Sequence, residues 1–556
     1  MGGAINGLGR RDILRATSGA LISALLPSRA FAIPVVISPT LAEPSYVNAK
    51  NYGALGDGST DDTDSLQRML NSLKAIYIPA GTYCITQLNV PRGAVVRTDG
   101  LSTIFQQLPG QPTATPLIRI TGSNVVIGSF ACRGNIQSDT GEWMHAIQII
   151  ADDTTGSLAN ISLAEVAGQN IRGDVLLLAA APEFTLSGVS AKSVSGDNIF
   201  RNIVSICGTG AAGGKINIER IEGEHVGLYH LDVEPDVGTP VADVSVGTVR
   251  GRNVGIVAPA ANVSVQTVAI DTLELSPEYS SGSTPDYPNV ELIRPHGLQL
   301  RNAASVKIGS LIARGFDGQA IKYVDSELRS MELEVESCTI EDCCRADLVH
   351  PAYILGAGVQ AAIHIDRLDV AIQRDGISAL MLANSCSVLS VKALLAPNTR
   401  LLNSCAAAKV SNVDVTGAYA NLAINTANAT FTGGSGSFTT IAYNCDQLSF
   451  DGMTLQGSFA GGSPDQSHLL QDTTLNGQYY ASAVYEPFAK SAAASQISPA
   501  TSEQSTWFSA LREPLFGRDA GVRKEVAVPV AVGGALILSG KRAALWLVRV
   551  CQSGLA

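Results

Sequence analysis

One pattern of apolar and polar positions keeps returning along this chain: apolar, any, apolar, two small or polar residues, apolar. It reads NVVIGSF (124–130), NISLAEV (160–166), EFTLSGV (183–189), KINIERI (215–221), DVSVGTV (243–249) and NVSVQTV (262–268). It returns as SVKIGSL (305–311), ELEVESC (332–338), AIHIDRL (362–368), VLSVKAL (388–394) and QLSFDGM (447–453). Strict alternation with β-branched apolar residues predicts strands. The copies lie mostly about 19–36 residues apart, a solenoid spacing. A second strand family falls between them: WMHAIQII (143–150), RGDVLLLA (172–179), FRNIVSIC (200–207), LYHLDVEP (228–235), VGIVAP (254–259), PHGLQL (295–300) and GQAIKY (318–323). Each unit is too short to bury its own apolar face, so the units must stack. Two or three short strands per turn, wound the same way, make an all-β fold: a right-handed parallel β-helix.

KNYGALGDGSTDDTDSLQRML (50–70) breaks the strand rule, with turn chemistry first and then an amphipathic helix. A solenoid has open ends, and an open end is an unpaired edge. The short helix is therefore expected as an N-terminal cap, with Asp61, Asp62 or Thr63 at its start. Leu66, Met69 and Leu70 should face the first coil. IYIPAGTYCIT (76–86) then begins the wall, turning at Pro79-Ala80-Gly81.

Composition narrows the class. Of 556 residues, 46% are hydrophobic and 16% charged, which excludes disorder. The net charge of −11, with no basic stripe, argues against a nucleic-acid partner. GRRDILRATSGALISALLPSRAFA (9–32) resembles a bacterial twin-arginine export signal ending at a small-x-small site. That resemblance implies a signal peptide over 1–32, a mature chain from about Ile33 and a periplasmic or secreted protein that folds before export. Folding in a reducing compartment, together with the lack of a CxxC zinc pair, makes most of the ten cysteines core filler, with the adjacent pair Cys343-Cys344 set apart.

The expected organisation is a cap with the first coils over 33–90, the β-helix over 91–488, a linker over 489–524 and a tail over 525–556. Coils beyond residue 400 are poor in charge and suit structural support or packing against further copies in a homo-oligomer. The tail's uninterrupted apolar run, Val526 to Leu538, is short for a membrane span and carries Pro529 and two glycines. No membrane span is expected in the mature chain.

YGALGDGSTDDTDSLQ (52–67) followed by IYIPAGTY (76–83) resembles the start of the pectate-lyase-like β-helix superfamily. That group includes polysaccharide lyases, glycoside hydrolases, uronan epimerases and tailspike-type depolymerases. The resemblance continues through GEWMHAIQI (141–149), RGDVLLL (172–178), GDNIFRNIVSI (196–206) and LDVEPD (231–236), and covers roughly 45–330. Val175, Ile203 and His230 stand where such relatives carry glycine. The resemblance implies the fold and a polysaccharide substrate; the superfamily hosts several chemistries, so it does not imply one reaction.

Registering the second strand family on its apolar positions puts a polar stripe outside the tube. It contains His145, Asp174, Arg201, Asn202, Tyr229, Asp232, Glu234, His296, Gln299 and Lys322, with Trp143 beside it. Rungs rise about 4.8 Å, so Asp174 and Asp232, two coils apart, are roughly 10 Å apart. Asp232 and Glu234 share one strand face, roughly 6.5–7 Å between Cα atoms. Asp174, Arg201, Asp232 and Glu234 are the candidate catalytic residues, with either carboxylate pair able to act as acid and base on a glycosidic bond. Trp143, His145, Asn202, Tyr229, His230, His296, Gln299 and Lys322 are the candidate substrate contacts. Three alternatives stay open. DVEP is also a plausible architectural corner. Arg201 or Lys322 with His230 or His296 would suit a uronan lyase or C5-epimerase. A non-catalytic glycan-binding β-helix would need only the stripe. No cofactor is required, although Asp174, Asp232 and Glu234 have the oxygen ligands Ca²⁺ prefers.

Overall fold

The computed structural model describes residues 45–487, except 73–74, 109–114, 137–142, 211–212, 236–238, 258–264, 278–295, 302, 324–330, 346–351, 357–360, 372–380, 385–387, 396–399, 404, 406, 416–420, 427, 462–465 and 486. The export signal, the linker over 489–524, the tail over 525–556, Cys386 and Cys551 lie outside the described residues. Within them the chain winds as a parallel β-helix. Long strands such as Leu158–Ile171, Leu186–Ile199, Lys215–Val226 and Val241–Gly251 pair in parallel, rung on rung. The shorter strands form a second wall: β1 (Ile147–Ala151), β2 (Leu176–Ala180), β3 (Val204–Ile206), β4 (Leu231–Val233), β5 (Val254–Val257), β6 (Leu298–Arg301) and β7 (Ile321–Tyr323). Their first residues stack inside the tube, and Ile147, Leu176, Val204, Leu231, Val254, Leu298 and Ile321 are all fully buried.

Helix α1 (Thr63–Asn71) caps the first coil with Leu66, Met69 and Leu70 buried, as the sequence predicts. Asp62 does not cap it. Its carboxylate accepts the Leu55 and Gly56 amides at 2.6 and 2.9 Å, so it pins the glycine turn to the helix start. Asp61 accepts the Thr63 amide at 2.9 Å. The described cysteines are buried and free. Among the described residues no helix is long and apolar enough to cross a membrane.

Two features depart from the expected plan. Strand winding does not stay parallel to the end: strands β8 (His468–Leu475) and β9 (Gln478–Tyr485) form an antiparallel hairpin. Asn476 and Gly477, with φ of 50° and 82°, make the turn, and Asn-Gly suits two successive positive φ values. The corners are held by asparagine ladders, unrecognised in the sequence. Asn160 donates to Asn124 at 3.0 Å and Asn198 to Asn170 at 2.6 Å, all four at positive φ.

The unusual wall residues have a steric counterpart. Gly168, Gly196 and Gly223 stack in register on the long strands, and Gly251 follows on the next rung. A Cβ on Gly168 would meet Val175 at 2.6 Å, one on Gly196 would meet Ile203 at 2.4 Å, and one on Gly251 would meet His230 at 2.1 Å. Where the wall has gained bulk, the opposing strand has none. Gly196→Ala should therefore lower stability by about 1–3 kcal/mol through overpacking, and pairing it with Ile203→Val should recover part of the loss in the same urea titration.

Candidate functional site

The site is built on the second wall and begins two residues before each strand. Register aligns His145, Asp174, Asn202, Tyr229, Arg252, His296 and Gln319 in one column. A repeated bond runs up it. The His145 Nδ1 accepts the Asp174 amide at 2.9 Å, Asp174 Oδ1 accepts the Asn202 amide at 3.1 Å, and Asn202 Oδ1 accepts the Tyr229 amide at 2.8 Å. His296 Nδ1 accepts the Gln319 amide at 3.1 Å. Each side chain thus fastens the rung above. A phenol at Tyr229 does not take part, and His230, one position on, supplies the acceptor: its Nδ1 takes the Arg252 amide at 3.1 Å while Nε2 donates to the Gly223 carbonyl at 3.0 Å. A main-chain amide only donates, so the proton of the neutral His230 ring sits on Nε2. For His230, burial pushes the ring down to about 4, which keeps it neutral.

This ladder corrects the expected stripe. His145, Asp174, Asn202 and His230 are fully buried rather than displayed on the outer face. One acceptor atom of each is committed to a main-chain amide of a following rung. His296 is also buried, with Lys322 Nζ 3.1 Å from its Nε2.

The second column lies one residue into each strand, on the side away from the core: Gln148, Leu177, Ser205, Asp232, Gly255, Gln299 and Lys322. Leu177, Ser205, Asp232 and Gly255 are themselves buried, and Gln148, Gln299 and Lys322 are partly exposed. Asn202 joins the columns. Its Nδ2 donates to Ser205 Oγ at 3.0 Å and to Asp232 Oδ2 at 3.1 Å. Tyr229 donates its hydroxyl to Gln299 Oε1 at 3.2 Å. Directly above Asp232 is Gly255, where a Cβ would lie 3.1 Å from the Tyr229 ring and 3.3 Å from Asp232 Oδ1. The glycine keeps that flank of the acid free of side chain. Arg201 is sandwiched, with its Nε 3.5 Å from Asp174 Oδ1 as an ion pair and its guanidinium carbon 5.8 Å from the Trp143 ring centre. Trp143 also meets His145 edge-on at 6.0 Å.

The carboxylates are driven apart electrostatically. Burial raises the Asp174 carboxyl, but Arg201, then His145 beside it and the Asn202 amide, bring it below the ordinary range. Asp232 goes the other way. Burial, then the charge of Glu234, pushes it well up against the opposing pull of Arg201 and Asn202. Burial also raises Glu234, against Arg201 and Arg301. The Asp232–Glu234 pair therefore binds a proton more readily than Asp174, a separation in the sense that acid–base work on a sugar needs. Among the described residues no three His, Cys, Asp or Glu side chains converge as metal ligands. An open groove of about 630 Å³ lies elsewhere, over Gly168, Gly196 and Gly223 between Asp197, Glu222, Glu224 and Arg250. It contains neither member of the acid pair, and its floor is bare main chain.

Similarity to known proteins is local in sequence and broad in shape. The pre-neck appendage protein of Bacillus phage B103 is 30% identical over 98 residues, which are 16% of this chain and 11% of that protein. Mannuronan C5-epimerase AlgE1 of Azotobacter vinelandii is 37% identical over 65 residues, 11% of this chain and 5% of the epimerase. The chain thus aligns with only a small part of either relative. The pre-mature gene product 12 of bacteriophage phi29 superposes over 78% of this chain and 57% of its own, at 13% identity and a TM-score of 0.43. Residues 46–163 match the family described as Rhamnogalacturonase A/epimerase, pectate lyase-like, a match that ends before Asp174. From that segment the described chain continues as a parallel β-helix.

Proposed function

We propose that the chain is a polysaccharide-active enzyme that hydrolyses glycosidic bonds with Asp232 and Glu234. The observation that carries this reading is the carboxyl pair of Asp232 and Glu234 on the wall side away from the core, with raised proton affinity, beside a carboxylate held below the ordinary range. A glycan lying along the wall meets Asp232 in its protonated form, which donates to the departing glycosidic oxygen. Glu234, the ionised member of the pair, is the base that aligns water, or the group that attacks the sugar carbon. Arg201 is the cation that opposes excess negative charge at both. Asn202 fixes the Asp232 carboxyl, and Tyr229 with Gln299 forms a polar surface above it.

A second reading is β-elimination or C5-epimerisation of a uronan. It is favoured by Arg201, a cation beside the pair that suits a uronate carboxylate, and by the epimerase name of one relative. The purified protein should be incubated with a panel of acidic and neutral polysaccharides. New reducing ends without ultraviolet absorbance support hydrolysis. Absorbance from unsaturated sugar supports elimination, and an altered uronate composition without cleavage supports epimerisation. Binding with no product makes the stripe a recognition surface. Loss of activity in EDTA, restored by Ca²⁺, would add a metal to whichever reaction is seen.

A further inference from the structure

Both ends of the buried Asn202 side chain have fixed partners. A main-chain amide only donates, so the atom that meets the Tyr229 amide at 2.8 Å is the oxygen, and the side-chain nitrogen is turned toward the acid. A flip would set donor against donor at Tyr229. The nitrogen has two hydrogens, and both are placed: one on Ser205 Oγ at 3.0 Å, the other on Asp232 Oδ2 at 3.1 Å. The main chain at 202 is held as well, since its amide donates to Asp174 Oδ1 at 3.1 Å.

The two oxygens of Asp232 are therefore unlike. Oδ2 receives the Asn202 hydrogen, whereas Oδ1 has no hydrogen-bond partner among the described residues. Oδ1 faces the rung above, 3.3 Å from where a Cβ on Gly255 would stand, and the Tyr229 ring lies 3.1 Å from that same point. In a carboxylic acid the carbonyl oxygen is the stronger acceptor. A donor fixed at Oδ2 thus makes Oδ2 the carbonyl and leaves the proton to Oδ1. Glu234, Arg201 and Asp174 act on Asp232 through their charge and set how firmly it holds a proton, but Asn202 is its one hydrogen-bonded neighbour among the described residues.

We propose that Asn202 is a positioning residue that keeps the Asp232 proton on Oδ1, so that a glycosidic oxygen is protonated from the Gly255 side of the acid. The catalytic consequence rests on the hydrolytic reading above; the placement of the proton does not. In the reaction that proton passes to the departing oxygen, which keeps the electron pair of the breaking C–O bond. Water supplies a hydroxyl to the sugar carbon and returns its other hydrogen to the acid pair. As Asp232 becomes a carboxylate, the bond from Asn202 strengthens, because an ionised acceptor forms the stronger hydrogen bond.

Infrared spectroscopy of the full chain tests the placement without any substrate. A protonated carboxyl has a carbonyl stretch that a carboxylate lacks, and the stretch moves down when its oxygen accepts a hydrogen bond. Each spectrum is referenced to the same chain carrying Asp232→Asn, so the difference reports Asp232. Wild type should show the lowered band at pH values above the ordinary Asp range, about 3.9. Asn202→Asp keeps an acceptor for the Tyr229 amide but turns an acceptor toward Oδ2, which draws the proton there. Its band should move up, and its turnover should fall by about 10²–10⁴-fold. Ser205→Ala spares the bond to Oδ2 and should leave the band in place. A wild-type band at the position of a carbonyl without a hydrogen bond would overturn the proposal, and so would no band at any pH above that range. A band unmoved in folded Asn202→Asp would do the same. The expected bands with no product from any polysaccharide would support the placement and overturn only the hydrolytic reading.

Discussion

Asp232→Asn should reduce turnover by about 10²–10⁴-fold, the usual contribution of a positioned general acid, without lowering the melting temperature. The two halves of this expectation have one cause. Asp232 is held protonated by burial and by the charge of Glu234, so its folded-state proton affinity exceeds the unfolded one. Such a group contributes stability fully below the ordinary Asp range, near pH 3.9, and loses that contribution as pH rises through its raised value. At neutral pH the ionised form is a burden on the fold, and an amide removes it. Asn also preserves one partner for Asn202 Nδ2, since its own oxygen accepts. Glu234→Gln should behave alike. Turnover in the wild type should fall as pH rises past the raised Asp232 value, and calorimetry of the variants at pH 7 reads the stability half. Easy unfolding of both variants would make the corner architectural and end the catalytic assignment.

Asp174→Leu should act in the opposite order, lowering stability first by about 3–5 kcal/mol, the cost of leaving a buried charge without its partner. Arg201 loses its ion pair with Asp174, and the Asn202 amide loses its acceptor on the same substitution. Asp174→Asn keeps the acceptor and loses only the charge, so it should recover part of the deficit. The pH dependence separates this residue from Asp232. Its carboxyl lies below the ordinary range, so its contribution is present above the unfolded value and lost as pH falls through the folded one. Urea titrations at pH 7 and at acid pH should show the wild type and Asp174→Leu converging toward acid. Parallel losses at both would remove Asp174 from the ion pair.

The tube was legible from the sequence because its signal is repeated. Apolar alternation marks every inward residue of β1 to β7, and the cap helix announces itself by breaking the pattern. The column of candidate residues was legible for the same reason, since register follows from apolar positions. What the sequence hid was depth. Period-two logic assigns residues within a strand, but His145, Asp174 and Asn202 lie two residues before one, on the bend, where side chains turn toward the next rung. Asp232, inside a strand, lies on the side away from the core, yet neighbouring groups bury it. His230 was misread because its role depends on a neighbour, Tyr229, lacking an acceptor. The glycine stack shows the same limit, since Val175 and Gly168 compensate each other across the tube and are adjacent only in space. The hairpin at Asn476-Gly477 had a local signal that the repeat pattern overshadowed.

The fastening of one rung by the side chain below it gives the wall a direction. A substitution at His145, Asp174 or Asn202 loosens what lies toward the C-terminus and leaves the preceding turn untouched. Inheritance of whole turns follows the same arrow: a turn copied or excised is accommodated when the residue at that bend can receive a proton from its successor. The turn bearing Tyr229 obeys another rule, because its substitute receiver sits one place along. That turn, which also bears Asp232, travels intact only together with His230.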